Sequence, residues 1–203
     1  MEPYEVKFEI AGPAAMFTRP DSGAAQVSYP APTFSAAKGM FEAIARWTSA
    51  CIRPTMVEIC APIKYHKYTT NYGGPLRKGN QMATGSSYQI PATILIDVCY
   101  RIHGVVEEIM QAPEGNNHLH ALQDVFNRRL KKGRFYYTPC LGWKEFVPSY
   151  AGMFREGTKK QEGINILIPS MLHSVFDKIS DGQVAPSFTV DAEIREGELI
   201  YAK

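Results

Sequence analysis

An α+β fold of the split β-α-β kind is what this sequence predicts, and three observations carry it. Strand-like alternation and helix-like spacing follow one another in the order strand, helix, strand, strand, helix, strand. The first helical stretch opens on an N-cap signal and the second closes on a glycine. The 203 residues, 45% of them apolar, suit one substantial core or two small ones. That order is the ferredoxin-like one, shared with RNA-recognition modules, although other α+β arrangements have it too.

The first strand is "YEVKFEIAG", with Val6, Phe8 and Ile10 on one side and Gly12-Pro13 as its end. "MFTRPDSGAAQVSYPAP", broken by Pro20, Pro30 and Pro32, reads as loop or irregular strand. "TFSAAKGMFEAIARW" starts at an N-cap, Thr33 or Ser35, and places Ala36, Met40, Ala43, Ile44 and Trp47 at helical intervals. Gly39 weakens that helix by ~1 kcal/mol against Ala. Close helix–sheet packing, or the approach of another backbone, would justify it.

"TMVEICAPIKYHKY" is the second strand, running into a basic and aromatic excursion from Tyr68 to Ser87. "YQIPATILIDVCYRIHG" is the third, apolar on both faces at its centre, with Pro91 marking an edge or a bulge. The second helix runs from Asn117 to Lys132 and stops at Gly133. "RFYYTPCLGWKEFVPSY" reads as strand-turn-strand. "GINILIPSML", "SFTVDAEI" and "GELIYAK" are short strands of a small C-terminal sheet or meander. The expected division is a main domain over 1–148 and a small β-rich extension over 149–203 packed on it.

The net charge of +2 says little, but its distribution says more. From Ala61 to Ile96 there are four basic residues and no acid; from Val125 to Lys144 there are six, again with no acid. Two such stretches on a near-neutral chain predict one positive face and a phosphate-rich partner, RNA or DNA. No apolar run approaches the ~20 residues of a membrane span, and the N-terminus lacks a secretory layout. A cytoplasmic protein without membrane partners is expected. Cys51, Cys60, Cys99 and Cys140 are scattered, with no CxxC pair, so neither a metal site nor a disulfide framework is expected. No cofactor is expected either.

"AMFTRPDSGAAQVSYPAPTFSAAKGMFEAI" resembles the Cas-five family of CRISPR systems, d subtype (type I-C), a branch of the RAMP superfamily. The matching residues are Phe17, Thr18, Arg19 and Pro20, then Val27, Ser28 and Tyr29, then Ser35, Ala36, Ala37 and Gly39, with Glu42, Ala43 and Ile44 after them. "APIKYHKY" and "LKKGRFYYTPCLGWKEF" are similar to later family segments, with Lys144 where an arginine is usual. The similarity runs in order from about Val6 to Phe146 and is loose beyond. It implies an RNA-binding ferredoxin-like fold whose partner is the CRISPR repeat RNA, held by its 5′ handle within the interference complex Cascade. Backbone and large subunits of that complex are implied as further partners, with double-stranded DNA a remoter one. It also implies metal-independent cleavage of the precursor RNA.

Cutting RNA without a metal needs a base for the 2′-hydroxyl, an acid for the leaving oxygen and a cation for the developing charge. Histidine suits the first two. The family supplies a tyrosine after the first helix and a Lys-His pair opening the second. Here Ala45 stands at the tyrosine position and Asn117 at the lysine. In "EGNNHLH", Glu114 and Gly115 match, and His118 or His120 stands for the histidine. Two readings stay open. His118 and His120 act as an acid–base pair with Lys131, Lys132 or Arg46 as the charge clamp, or the protein binds RNA without cutting it. Asn117 is equally a good N-cap. "RRLKKGR" holds five basic residues in seven positions, more than complementing a helix dipole needs. Arg128, Lys131, Lys132 and Arg134 are therefore expected on phosphate. Lys64, Tyr65, His66 and Lys67 interleave charge with aromatic rings, a layout for unpaired bases. Arg19, Lys38 and Lys144 complete the expected RNA contacts. Phe17 and Tyr29 are expected to pack, Trp47 and Trp143 to lie in core or interface, and His103 to have no special part.

Overall fold

The computed structural model describes residues 4–72, 77–111, 117–176, 179–180 and 183–201. Its order begins β1 (Glu5–Ala15), β2 (Gln26–Val27), α1 (Phe34–Ile44), β3 (Ala50–Ile59), β4 (Tyr65–Tyr72), α2 (Gly79–Ala83), β5 (Tyr88–Glu108) and α3 (His118–Lys132). It continues with β6 (Tyr150–Gly152), β7 (Ile166–Ser174), β8 (Ile179–Ser180), β9 (Gln183–Val184), β10 (Ser187–Arg195) and β11 (Glu198–Ile200). A nine-stranded, curled sheet runs β6-β1-β5-β3-β11-β10-β7, with β2 and β4 also pairing β5. Its pairs are antiparallel except the short β2–β5 one. The last strands join this same sheet through β11 on β3.

Both helix boundaries follow from local chemistry. The Thr33 hydroxyl accepts from Ala36 N–H at 3.2 Å and opens α1. The Asn117 side chain accepts from His120 N–H at 3.1 Å and opens α3, while Gly133, at φ 61, closes it. Both helices lie on one face of the sheet, where Phe8 meets Phe41 at 5.0 Å and Phe126 at 6.3 Å between ring centres. Burying such rings contributes about 2–3 kcal/mol each.

Several expectations need correction. Gly39 is not at a close contact: a Cβ there would meet nothing within 4 Å. The close approach belongs to Gly104, where a Cβ would come 2.9 Å from Phe41, Ile52 and the Arg53 carbonyl. β1 does not stop at Gly12-Pro13, because the long β5 offers partners on to Leu95. The ladder skips Pro13, opposite Asp97, which sits at φ 53. The second strand is two separate strands, β3 and β4. The 134–149 stretch is not strand-turn-strand; only Tyr150–Gly152 is extended. Its backbone is used elsewhere: Tyr136 and Tyr137 N–H donate to the Ile44 and Ala43 carbonyls, and Leu141 C=O accepts from Met16 N–H. Gly142 is required there, since at φ 91 a Cβ would collide with the Met16 carbonyl.

The sheet face away from the helices is polar. Glu9 is fully buried there and accepts from Arg101 at 3.2 Å, from Arg155 N–H at 3.1 Å and from Thr158 at 2.8 Å. Burial pushes its carboxyl up, but the Thr158, Arg155 and Arg101 hydrogen bonds outweigh it and hold it below the usual carboxylate value. His103 is part of this face, 2.9 Å from Glu58. Among the described residues no helix is long and apolar enough to cross a membrane.

Candidate nucleic-acid interface

Three groups of predicted residues can be followed. The first sits at the start of α3. His118 is the helix's first residue, largely buried, and its Nε2 has no hydrogen-bond partner among the described residues; Glu108 Oε1 lies 3.6 Å away, beyond bonding range. His120 is exposed, with Nδ1 3.5 Å from Asp124 and its ring edge-on to Tyr4 at 5.8 Å. The Tyr4 hydroxyl accepts from the Asn117 amide at 2.6 Å. Tyr4 was missed in the sequence, because it lies 113 residues from Asn117 and carries no local pattern. Glu114 and Gly115, part of the resembling string, lie outside the described residues.

The second group surrounds the end of α3. Arg128, Lys131, Lys132 and Arg134 are exposed. Arg129 donates to the Ile44 carbonyl at 3.2 Å and lies over the Tyr136 ring at 5.6 Å. Tyr136 and Tyr137 are exposed, 4.3 Å apart between ring centres. The Tyr136 phenol is pushed above its ordinary value by its hydrogen bond to Tyr137, against the pull of nearby Arg46 and Arg129. Arg128, Arg129, Lys132, Arg134, Phe135 and Tyr136 line an open cleft of about 370 Å³. It adjoins a second one of about 650 Å³ that starts at Gly133.

Arg46 thus belongs to this group and not to the histidines. The structure separates them because α1 ends beside the C-terminal end of α3, and α3 spans roughly 22 Å at 1.5 Å per residue. The neighbours recorded against the histidines are instead the acids Glu108 and Asp124. Ala45, at the family's tyrosine position, is buried and serves as the C-cap of α1.

The third group lies along β4 and the loop ahead of β2. Lys64, Tyr65, His66 and Lys67 are exposed on β4 and its entry. Lys64 meets Asp97 at 3.8 Å, and Arg19 is held by both Asp21 carboxylate oxygens, at 3.1 and 2.7 Å. Tyr68 packs on Phe146 at 5.8 Å, and Trp143 donates to Thr18 Oγ1 at 3.0 Å, so β4, Arg19 and exposed Lys144 are gathered together. Residues 134–144 connect this group to the cations at the end of α3. Lys38 is half-buried on α1, near Cys51. Phe17 and Tyr29 are core residues. Among the described residues no cluster of three or more His, Cys, Asp or Glu could hold a metal ion.

The chain is an α+β protein built on one curled, mostly antiparallel sheet. It superposes on the solved "Crystal Structure of CRISPR-associated Protein" with a TM-score of 0.70 over 98% of this chain and 92% of that one, at 20% identity. The chain belongs to the CRISPR-associated protein family Cas_Cas5, in its Cas5d form, whose profile matches residues 5–198. The match therefore continues past Phe146, where resemblance had looked loose. A "CRISPR pre-crRNA endoribonuclease Cas5d" of Thermus thermophilus is 29% identical over 82% of this chain and 71% of its own length. The protein of that name from Mannheimia succiniciproducens is 27% identical over 72% and 71%.

Proposed function

We propose that this protein is a pre-crRNA endoribonuclease that cuts CRISPR repeat RNA without a metal and stays on its product as the 5′-handle-binding subunit of Cascade. Its partners are then the repeat RNA and the backbone and large subunits, with double-stranded DNA reached through the same charges, and its compartment is the cytoplasm. The observation that carries the reading is the open cationic and aromatic surface at the end of α3. Arg128, Lys132 and Arg134 there line one cleft with Tyr136, and among the described residues none of the three is ion-paired. Phosphates pair with such charges, and unpaired bases stack on such rings. A ferredoxin-like RAMP fold is supported by the order β6-β1-β5-β3, with α1 after the first of these strands and α3 after the third in chain order.

For the chemistry, His118 and His120 divide the proton transfers, and Tyr4 stands where it can order a hydroxyl beside His120. A second reading, a 5′-handle-binding subunit that does not cut, is favoured by Glu108 and Asp124, which put negative charge where a scissile phosphate would approach. Incubating the protein with labelled repeat RNA in EDTA separates them. One cut, lost in His118→Ala or His120→Ala, is expected. Tight binding with intact RNA establishes the second reading, and an unchanged cut in both variants overturns the site.

A further inference from the structure

We propose that Cys60 and Cys99 form a reversible disulfide, driven by a hydroperoxide, which cross-links the end of β3 to β5. The pairing Ile59↔Tyr100 carries on to these two residues, since Cys60 N–H donates to the Cys99 carbonyl at 2.8 Å. Residues directly opposite on antiparallel strands share a face, and a hydrogen-bonded pair has Cα atoms about 5.5 Å apart. That lies inside the roughly 4.4–6.8 Å window a disulfide accepts. The Cys60 thiol donates to the Glu58 carbonyl at 3.7 Å, a weak bond that it gives up on turning toward Cys99. The Cβ atoms of directly opposite residues stand about 4.5–5.5 Å apart, so closure needs side-chain rotation and a shift of roughly 1 Å at the end of β3 to reach the roughly 3.5–4.5 Å of a disulfide.

The two sulfurs have different roles. Cys99 is the attacking one: Arg155 Nη2 donates to its sulfur from 3.7 Å, and the neighbouring Cys60 together with this guanidinium lowers its thiol against the burial that raises it. Glu9, 3.9 Å away, opposes the thiolate, although its charge is already engaged by Arg101, Arg155 and Thr158. Cys60 keeps its proton and resolves. Both cysteines line an open cleft of about 650 Å³ with Arg155, Thr158 and Lys159, so a small oxidant reaches them. Cys51 faces Glu107 across the ladder, and burial raises its thiol as it does that of Cys140.

The Cys99 thiolate attacks one peroxide oxygen, the O–O bond breaks, and a sulfenic acid forms while the released oxide takes up the thiol's proton. The Cys60 sulfur then attacks the sulfenic sulfur and expels hydroxide, which its own proton converts to water. With hydrogen peroxide, two thiols yield one disulfide and two waters, and two electrons pass from sulfur to oxygen. A dithiol reductant reverses the bond.

The test is the full-length protein treated with hydrogen peroxide, alkylated, and read by intact mass and peptide mapping. The expected result is loss of two hydrogens and a Cys60–Cys99 linked peptide that dithiothreitol abolishes, formed about tenfold faster than Cys51 or Cys140 is modified. In Cys60→Ser a dimedone adduct should collect on Cys99, and Cys51→Ser/Cys140→Ser should keep the full response. Oxidation of Cys51 or Cys140 as fast as Cys99, or over-oxidation of Cys99 with Cys60 still free, would overturn the proposal.

Discussion

The two ends of α3 are chemical opposites. At its start, two histidines and a tyrosine stand beside Glu108 and Asp124. At its close, roughly 22 Å along, Arg128, Arg129, Lys132 and Arg134 share a cleft with Tyr136. Under the proposed function, proton transfer and phosphate binding are separated on this helix, so one end can be altered while the other serves as control. Helix electrostatics favour both arrangements, since cations complement the C-terminal end of the dipole and acids its N-terminal end.

The largest expected effect is at the start. His118→Ala should lower the single-turnover cleavage rate by about 10²–10⁴-fold, with RNA affinity changed less than about twofold by gel shift. A large loss of affinity would break the separation. Next, Arg128→Ala/Lys132→Ala should weaken RNA binding roughly 100-fold, from ~1.5 kcal/mol per charge-assisted contact, and flatten the salt dependence by about 0.7 units per lost phosphate. The cleavage rate at saturating protein should hold. Tyr136→Ala should cost about 1–3 kcal/mol of binding to single-stranded RNA and much less for duplex, a contrast that tells stacking from charge. The smallest effect is structural. Asn117→Ala removes the cap of α3 for about 1 kcal/mol, a fall of roughly 2–4 °C in Tm by calorimetry. Asn117→Asp should restore it.

Much of this was legible because it is local. Asn117 and Gly133 bound α3 as their cap chemistry requires, and Val6, Phe8 and Ile10 alternate because a strand exposes its two faces in turn. The basic run at the close of α3 is likewise a near-neighbour pattern. What could not be read depends on pairing between distant segments. The acid-free stretch around Lys64 ends one residue before Asp97, which the sheet then sets 3.8 Å from that lysine. Arg46 looked free to serve the histidines until the crossing of α1 over α3 placed it at the other end. The aromatic alternation of residues 135–137 resembled a strand, but its N–H groups cap the end of α1 instead.

By itself the sequence determined α1 and α3, the main strands, the cationic run and the family, since propensity, capping and motif order act over a few residues, while the short α2 was not foreseen. Only the tertiary structure decided which charges survive unpaired, that Tyr4 joins the histidines, and that Cys60 faces Cys99. Those depend on register and helix crossing, where one residue's slip turns a side chain to the other face.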